Sequence, residues 1–288
     1  MAKTLKAMRP KHWVKSSFCL VALFFSGRAC SLEAWIQVLP LVLIFSLVSS
    51  SGYLLNDIWN KSEDQQHPRK KFRPIASGEV SVKLGLLVAL ALYFVSAGIG
   101  YLWYGFSSTT FCVGAYVVVS LLYTFLLREV VILDVLTISL GFVLRVCGGA
   151  YAIEVVPSVW LIGLTYLLSA LLALGKRTGE LQFVADTQID MGATRPVLNR
   201  YRKDQNYMFL VAIAALLLVL YVAYCVVVQP NFRFLFTVIP VAIALFSYVR
   251  TARRSDAVET PVNMLLNGSV ISACVLAWGA MVVGFLYT

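Results

Sequence analysis

The sequence predicts an all-α polytopic membrane protein of nine transmembrane helices, on three observations. Of its 288 residues, 60% are hydrophobic and only 13% are charged, about half the charge of a typical soluble domain. Its apolar residues gather into nine runs close to the roughly 20 residues a helix needs to cross a bilayer. Its cations sit in every second gap between those runs. A soluble, basic nucleic-acid-binding domain is thereby excluded, despite the net charge of +10, and no nucleic-acid partner is expected.

Taken in order, the runs cover about 13–27, 35–55, 83–103, 107–127, 130–153, 157–175, 207–228, 232–249 and 266–287. The first is short and follows a basic stretch, as a signal peptide would. Arg28 stands where a cleavage motif wants a small residue, so the run is read as a crossing that tilts its neighbours or thins the bilayer. Of 24 Lys and Arg residues, 21 precede the first run or fall after the second, fourth, sixth and eighth, counting Lys15 and Lys83 at the near ends of the first and third runs. Arg28 and Arg233 occupy the alternate gaps, and Arg145 lies within a run. The positive-inside rule then places the N-terminus and the long loops in the cytoplasm and, after nine crossings, the C-terminus outside. An integral, multi-pass protein of a bacterial inner membrane is expected, built as a single transmembrane domain over 1–288. Its cytoplasmic loops, about 56–82 and 176–206, are the long ones, and long polar loops on one face of a compact domain usually carry function. The six cysteines show no CxxC spacing and read as packing residues.

The richest stretch follows the second run. If that helix continues past the membrane boundary, Asp57, Asn60 and Asp64 fall at i, i+3 and i+7, along one face, until Pro68 stops it. Carboxylate and amide oxygens so arranged suit Mg²⁺, a hard cation that keeps waters and shares its remaining positions with phosphate oxygens. Lys61, Arg69, Lys70, Lys71 and Arg73 give the same loop affinity for oligophosphate. A basic patch touching anionic lipid would explain those cations. It would not explain acidic groups at helical spacing directly before them.

A weaker echo follows the sixth run, where Lys176, Arg177 and Glu180 precede Asp186 and Asp190. These two aspartates would hold a second Mg²⁺ or simply face solvent. Three positions inside the runs also stand out. Arg145 is a charge at membrane depth, hence a functional candidate or half of an ion pair with Asp134 or Glu154. Asp134 would bind a substrate hydroxyl or cap its helix. Tyr123 would line a pocket mouth or belong to the interfacial aromatic belt.

Three stretches together resemble the UbiA superfamily of intramembrane prenyltransferases over nearly the whole chain: Arg9-Pro10-Lys11-His12-Trp13-Val14-Lys15, the Asn56-Asp57 pair followed by His67-Pro68-Arg69-Lys70, and Leu133-Asp134 through Arg145 to Gly148-Gly149. Within that superfamily they are most similar to the decaprenyl-phosphate phosphoribosyltransferase group. The resemblance implies a helical bundle with a central cavity open to the cytoplasm. It also implies Mg²⁺-dependent transfer of a 5-phosphoribosyl group from phosphoribosyl pyrophosphate to a polyprenyl phosphate, drawn from the membrane lipid, with release of pyrophosphate. On it, Asn56, Asp57, Asn60 and Asp64 form the metal site, and Lys70 and Arg73 grip phosphate oxygens. Lys15, Lys176 and Arg177 complete a cationic wall, while Tyr123, Asp134, Arg145 and Glu180 shape the ribosyl pocket. One departure stands out: Asn60 occupies a position where the superfamily pattern has aspartate, which removes a negative charge from the metal site.

Two other functions fit the sequence less well. Prenyl transfer from a polyprenyl diphosphate to an aromatic acceptor differs in its donor. A transporter or lipid-binding protein would place polar residues near the midplane, whereas here they crowd the helix ends.

Overall fold

The structure, a computed structural model, describes residues 2–67, 70–187, 202–229, 231–253 and 270–287, with backbone only for 183–187. Among them eight helices are long and apolar enough to cross a membrane, and they divide between two compact units, one ending at Pro157 and the other starting at Ser158.

The first unit opens with α1 (Ala2–Met8), a 3-10 helix (Pro10–Leu20) and α2 (Val21–Phe25). No membrane-length α-helix therefore forms over 13–27, the one departure from the nine predicted helices. The substitute still has reach: at about 2.0 Å per residue the 3-10 helix rises roughly 22 Å, and α2 adds about 7 Å, near the thickness of a hydrocarbon core. Gly27, at φ +74°, turns the chain back.

Then come α3 (Leu32–Trp59), α4 (Lys61–Gln66), α5 (Val82–Tyr104), α6 (Ser108–Phe125) and α7 (Leu133–Ala152). Serine caps fix three of the starts: Ser31 accepts from the Ala34 amide, Ser81 from Leu84, and Ser107 forms a capping box with Thr110. α3 and α7 form the interior, whereas α5 and α6 present residues such as Phe94 and Phe111, each 76% exposed, as a lipid-facing surface. Four buried serines of α3, Ser46, Ser49, Ser50 and Ser51, are small residues whose hydroxyls bond their own helix or a neighbour. Ser46 meets Ser16 at 3.0 Å, and Ser51 donates to the Ala89 carbonyl at 2.9 Å. Such residues let helices approach closely inside a bilayer.

The second unit contains α8 (Val159–Thr187), α9 (Lys203–Val227), a 3-10 turn (Phe232–Thr237) leading into α10 (Val238–Ala252), and α11 (Val270–Tyr287). Each unit thus has four long spans, and the first of each, α3 or α8, bears a polar cluster at its C-terminal end. α8 runs to Thr187, so Lys176, Arg177 and Glu180 sit on a helix rather than in the loop predicted from residue 176.

Candidate active site

One apolar cluster positions the polar end of α3. Ala7, Leu54, Ile75, Val80 and Ala89 form its buried core, with Met8, Leu55 and Ile58 packed against it. It thereby fixes three segments side by side: the end of α1, the last turns of α3 and the loop after α4. Arg9 follows the first of these, and Arg73 lies within the third, two residues before Ile75.

The helix does not run straight through the acidic stretch. Asn60 (φ −97°, ψ 16°) separates α3 from α4, although the backbone bonds Asn60 N to Asn56 O and Asp64 N to Asn60 O carry the winding across. α4 then ends at His67 in extended conformation, as suits a residue before proline; Pro68 and Arg69 lie outside the described residues. Asp57, Asn60 and Asp64 remain on one side and are all buried, at 1%, 2% and 3% exposure. Asn56 is half-buried, and its Oδ1 accepts from Asn60 Nδ2 at 3.0 Å.

Burial of two carboxylates demands compensation, and two guanidinium groups supply it. Arg9 Nη2 donates to Asp57 Oδ1 at 2.5 Å. Arg73 Nη1 bridges Asp57 Oδ1 at 3.1 Å and Asp64 Oδ2 at 2.5 Å. Arg9 reaches its position from a left-handed backbone conformation (φ 55°, ψ 60°), a strained state for a non-glycine residue that tends to mark functional sites. Burial pushes the Asp64 carboxyl above its ordinary value, an effect the charge and hydrogen bonds of Arg73 oppose.

Two acceptors are left over: Asp57 Oδ2 and Asn60 Oδ1 are buried and have no hydrogen-bond partner. Orphaned buried oxygens are rare and call for a missing cation or water. They are also the oxygen donors that Mg²⁺ takes, so the residues fit a divalent ion. Among the described residues no three His, Cys, Asp or Glu side chains converge as a metal cage. A cation here must take much of its coordination from water and ligand phosphate, the usual habit of Mg²⁺.

The remaining candidates of the first unit fall at two depths. At the level of the acidic cluster, Lys70 is half-buried and its amide donates to His67 Nδ1 at 3.3 Å. Half-buried Tyr123 lies near the end of α6, which is tied to α3 by Trp59 against Phe125, and the 3-10 turn after it (Leu127–Glu129) is tied to α4 by Arg128 with Glu63. Asp134, in the first turn of α7, is wholly buried. Deeper along α3, Ser49 and Tyr53 precede Asp57 at four-residue steps, on the same face. Tyr53 packs against His12, lies 5.0 Å below the Arg9 guanidinium, and feels the charges of Lys15 and Arg145.

Arg145 does not form the ion pair considered from the sequence. Neither Asp134 nor Glu154 reaches it. Its guanidinium donates to Gly141 O at 3.0 Å, Ser49 Oγ at 2.8 Å and Tyr116 Oη at 2.7 Å. It also lies 4.3, 5.5 and 5.6 Å from the ring centres of Tyr116, Phe142 and Phe45. Aromatic faces stabilise a desolvated cation without cancelling its charge, so positive potential persists at depth. Arg145→Lys keeps the charge but loses the planar donor fork. It is expected to destabilise the protein by about 1–3 kcal/mol, read as a lower melting temperature in detergent.

In the second unit, Arg177 pairs with Glu180 one helical turn away, both buried, and Lys176 is half-buried beside them. Thr178 Oγ1 accepts from Asn206 Nδ2 at 2.7 Å, and Asn206 Oδ1 stays unpartnered. The Asp186 side chain and Asp190 lie outside the described residues.

The sequence model of the UbiA prenyltransferase family matches residues 16–271. The chain belongs to this family. Decaprenyl-phosphate phosphoribosyltransferase of Corynebacterium glutamicum is 32% identical over 62% of this chain and 54% of its own, so the match spans about half of that relative. The Mycobacterium tuberculosis protein of the same name is 28% identical over 98% of this chain and 93% of its own. The solved UbiA homologue from Archaeoglobus fulgidus bound to GPP and Mg²⁺ superposes with a TM-score of 0.70 at 16% identity, covering 99% of this chain and 98% of that one. These findings establish a multi-pass membrane enzyme with the UbiA fold.

Three participants were not singled out from the sequence: Arg9, Tyr53 and Asn206. Arg9 stood inside a quoted motif without a role. Its partner is 48 residues away, and only the packing of α1 on α3 brings them together.

Proposed function

We propose that the protein transfers a 5-phosphoribosyl group from phosphoribosyl pyrophosphate to a polyprenyl phosphate, with Mg²⁺, on the cytoplasmic side of a bacterial inner membrane. The observation that carries this reading is the buried Asp57–Asn60–Asp64 cluster with two orphaned oxygens, faced by arginines suited to diphosphate. The donor is chosen on the printed names of the relatives.

The chemistry asks little of a general base. A phosphate monoester, with a second pKa of about 6, is largely a dianion at neutral pH. One of its oxygens forms a bond to ribose C1 as the bond from C1 to the pyrophosphate oxygen breaks. Asp57, Asn60 and Asp64 would hold Mg²⁺, which neutralises charge on the leaving pyrophosphate. Arg73, Lys70 and Lys15 orient anionic oxygens, and Asp134 and Tyr123 offer polar atoms to the ribosyl hydroxyls. Arg145 contributes positive potential from within the bilayer. Lys176 and Arg177 serve anion binding, and Arg177 also pairs with Glu180. Catalysis of this kind is positioning and charge stabilisation.

The test is transfer of ribose label from phosphoribosyl pyrophosphate into the organic phase with purified protein, polyprenyl phosphate and Mg²⁺. Label appearing only with a prenyl diphosphate and an aromatic acceptor would overturn the choice of donor. Asn60→Asp, which returns the superfamily aspartate, is expected to retain transfer and reach half-maximal rate at several-fold lower Mg²⁺. An unchanged Mg²⁺ titration would count against Asn60 as a ligand.

A further inference from the structure

The charge balance of the acidic cluster says in what form a divalent cation reaches it. Asp57 and Asp64 carry two negative charges; Arg9 and Arg73, in direct contact with them, carry two positive ones. The cluster is therefore already neutral. A bare divalent cation would approach two guanidinium groups without net attraction, and at such separations each like-charge contact is worth an order of magnitude or more in affinity. Yet Asp57 Oδ2 and Asn60 Oδ1 stay buried and unpartnered, at 1% and 2% residue exposure, so the cluster keeps acceptors in reserve.

The two arginines are not held alike. Arg9 is fixed at the junction of α1 and the 3-10 helix, where Ser50 Oγ donates to the Met8 carbonyl at 2.9 Å and the His12 amide bonds the Arg9 carbonyl at 2.9 Å. The Arg9 guanidinium is also held over the Tyr53 ring at 5.0 Å. Arg73, on the loop after α4 and about as exposed as Arg9 (25% against 23% of the side chain), gives its guanidinium bonds to the two carboxylates, while its backbone carbonyl accepts from the Ser77 amide. Its guanidinium is thus the one free to exchange partners while its backbone stays in place.

We propose that Arg73 is a resident counter-cation that makes cation and diphosphate binding mutually dependent: the metal enters with a diphosphate anion, to which Arg73 passes the hydrogen bonds it gives to Asp57 and Asp64. The diphosphate supplies the negative charge that a second cation requires, and the released carboxylate oxygens face the metal. This rests on the metal-diphosphate reading above and adds the coupling between the two ligands.

Equilibrium dialysis of the detergent-solubilised protein with radioactive Mn²⁺ and labelled inorganic pyrophosphate, each alone and both together, tests it. The wild type should retain little of either ligand alone and both together in equal amounts. Arg73→Gln should shift the two ligands in opposite directions, binding Mn²⁺ alone about tenfold more tightly and pyrophosphate more weakly. Arg9→Gln removes the same single positive charge and should also tighten Mn²⁺ alone, but because it keeps the exchanging arginine it should leave pyrophosphate affinity near wild type, which separates the partner-exchange role of Arg73 from its charge and guards against misfolding of the first variant. A purely structural Arg73 would lower both affinities together, which overturns the proposal. Wild-type protein that takes up Mn²⁺ equally well with or without pyrophosphate also overturns it, while leaving the metal site intact. No Mn²⁺ under any condition, in folded protein, defeats the metal reading itself and this inference with it.

Discussion

Asp57→Ala is expected to reduce label transfer by about a thousandfold or more, on the scale of deleting a principal group that stabilises charge in a reaction. Asp57 serves in two capacities. One oxygen, Oδ1, anchors both arginines, and the other is the orphaned acceptor offered to a cation. Alanine removes both and leaves Arg9 without its carboxylate. Breaking a buried ion pair from one side commonly destabilises a protein by about 3–5 kcal/mol, so lost activity alone would be ambiguous. Asp57→Asn resolves it: the amide oxygen still accepts a guanidinium hydrogen bond and the volume is unchanged, but the negative charge is gone. Its melting temperature should stay much closer to wild type than that of Asp57→Ala, with transfer still depressed about a hundredfold or more. Wild-type transfer by Asp57→Asn would remove this residue from the reaction.

The sequence revealed the acidic face of the second predicted helix because helical spacing is local: Asp57, Asn60 and Asp64 align whatever the rest of the chain does. It also revealed eight membrane-length helices and the paucity of charge within them, since a bilayer leaves few other solutions; which of them face lipid was not legible, because apolar side chains look alike on either side. What it concealed depends on distant contacts. The pairing of Arg9 with Asp57 needs α1 to pack on Leu54 and Ile75. The solvation of Arg145 by three rings and two hydroxyls cannot be told from an ion pair by composition, because Asp134 and Glu154 lie nearer in sequence than Ser49 or Tyr116. The Lys176–Glu180 stretch looks like loop for its polarity, yet α8 runs through it, with Arg177 and Glu180 paired one turn apart. The 3-10 winding of Pro10–Leu20 is likewise set by what it packs against, since it lies against α3 and α7.

That packing sets up the sharpest effect on folding. Gly149, on α7, meets the 3-10 helix backbone to backbone: a Cβ added there would lie 1.9 Å from the Cys19 carbonyl oxygen and 2.7 Å from its carbon. No side chain can rotate away to relieve such a contact, so the two helices must part. Gly149→Ala is expected to destabilise the protein by about 3 kcal/mol or more, at or beyond the upper range for overpacked cores. Gly148 is the internal comparison. A Cβ there meets only side-chain atoms, Phe45 Cε2 at 3.3 Å, Cys112 Cβ at 3.4 Å and Leu41 Cδ2 at 3.5 Å, and Gly148→Ala should change stability by about 1 kcal/mol or less. Thermal unfolding of the two variants in the same detergent checks the difference, and equal melting temperatures would sink the close approach. The consequence reaches the active site, because the displaced 3-10 helix begins directly after Arg9 and carries Lys15. Molecules of Gly149→Ala that still fold should therefore show reduced transfer, through a guanidinium withdrawn from Asp57, with no catalytic side chain altered.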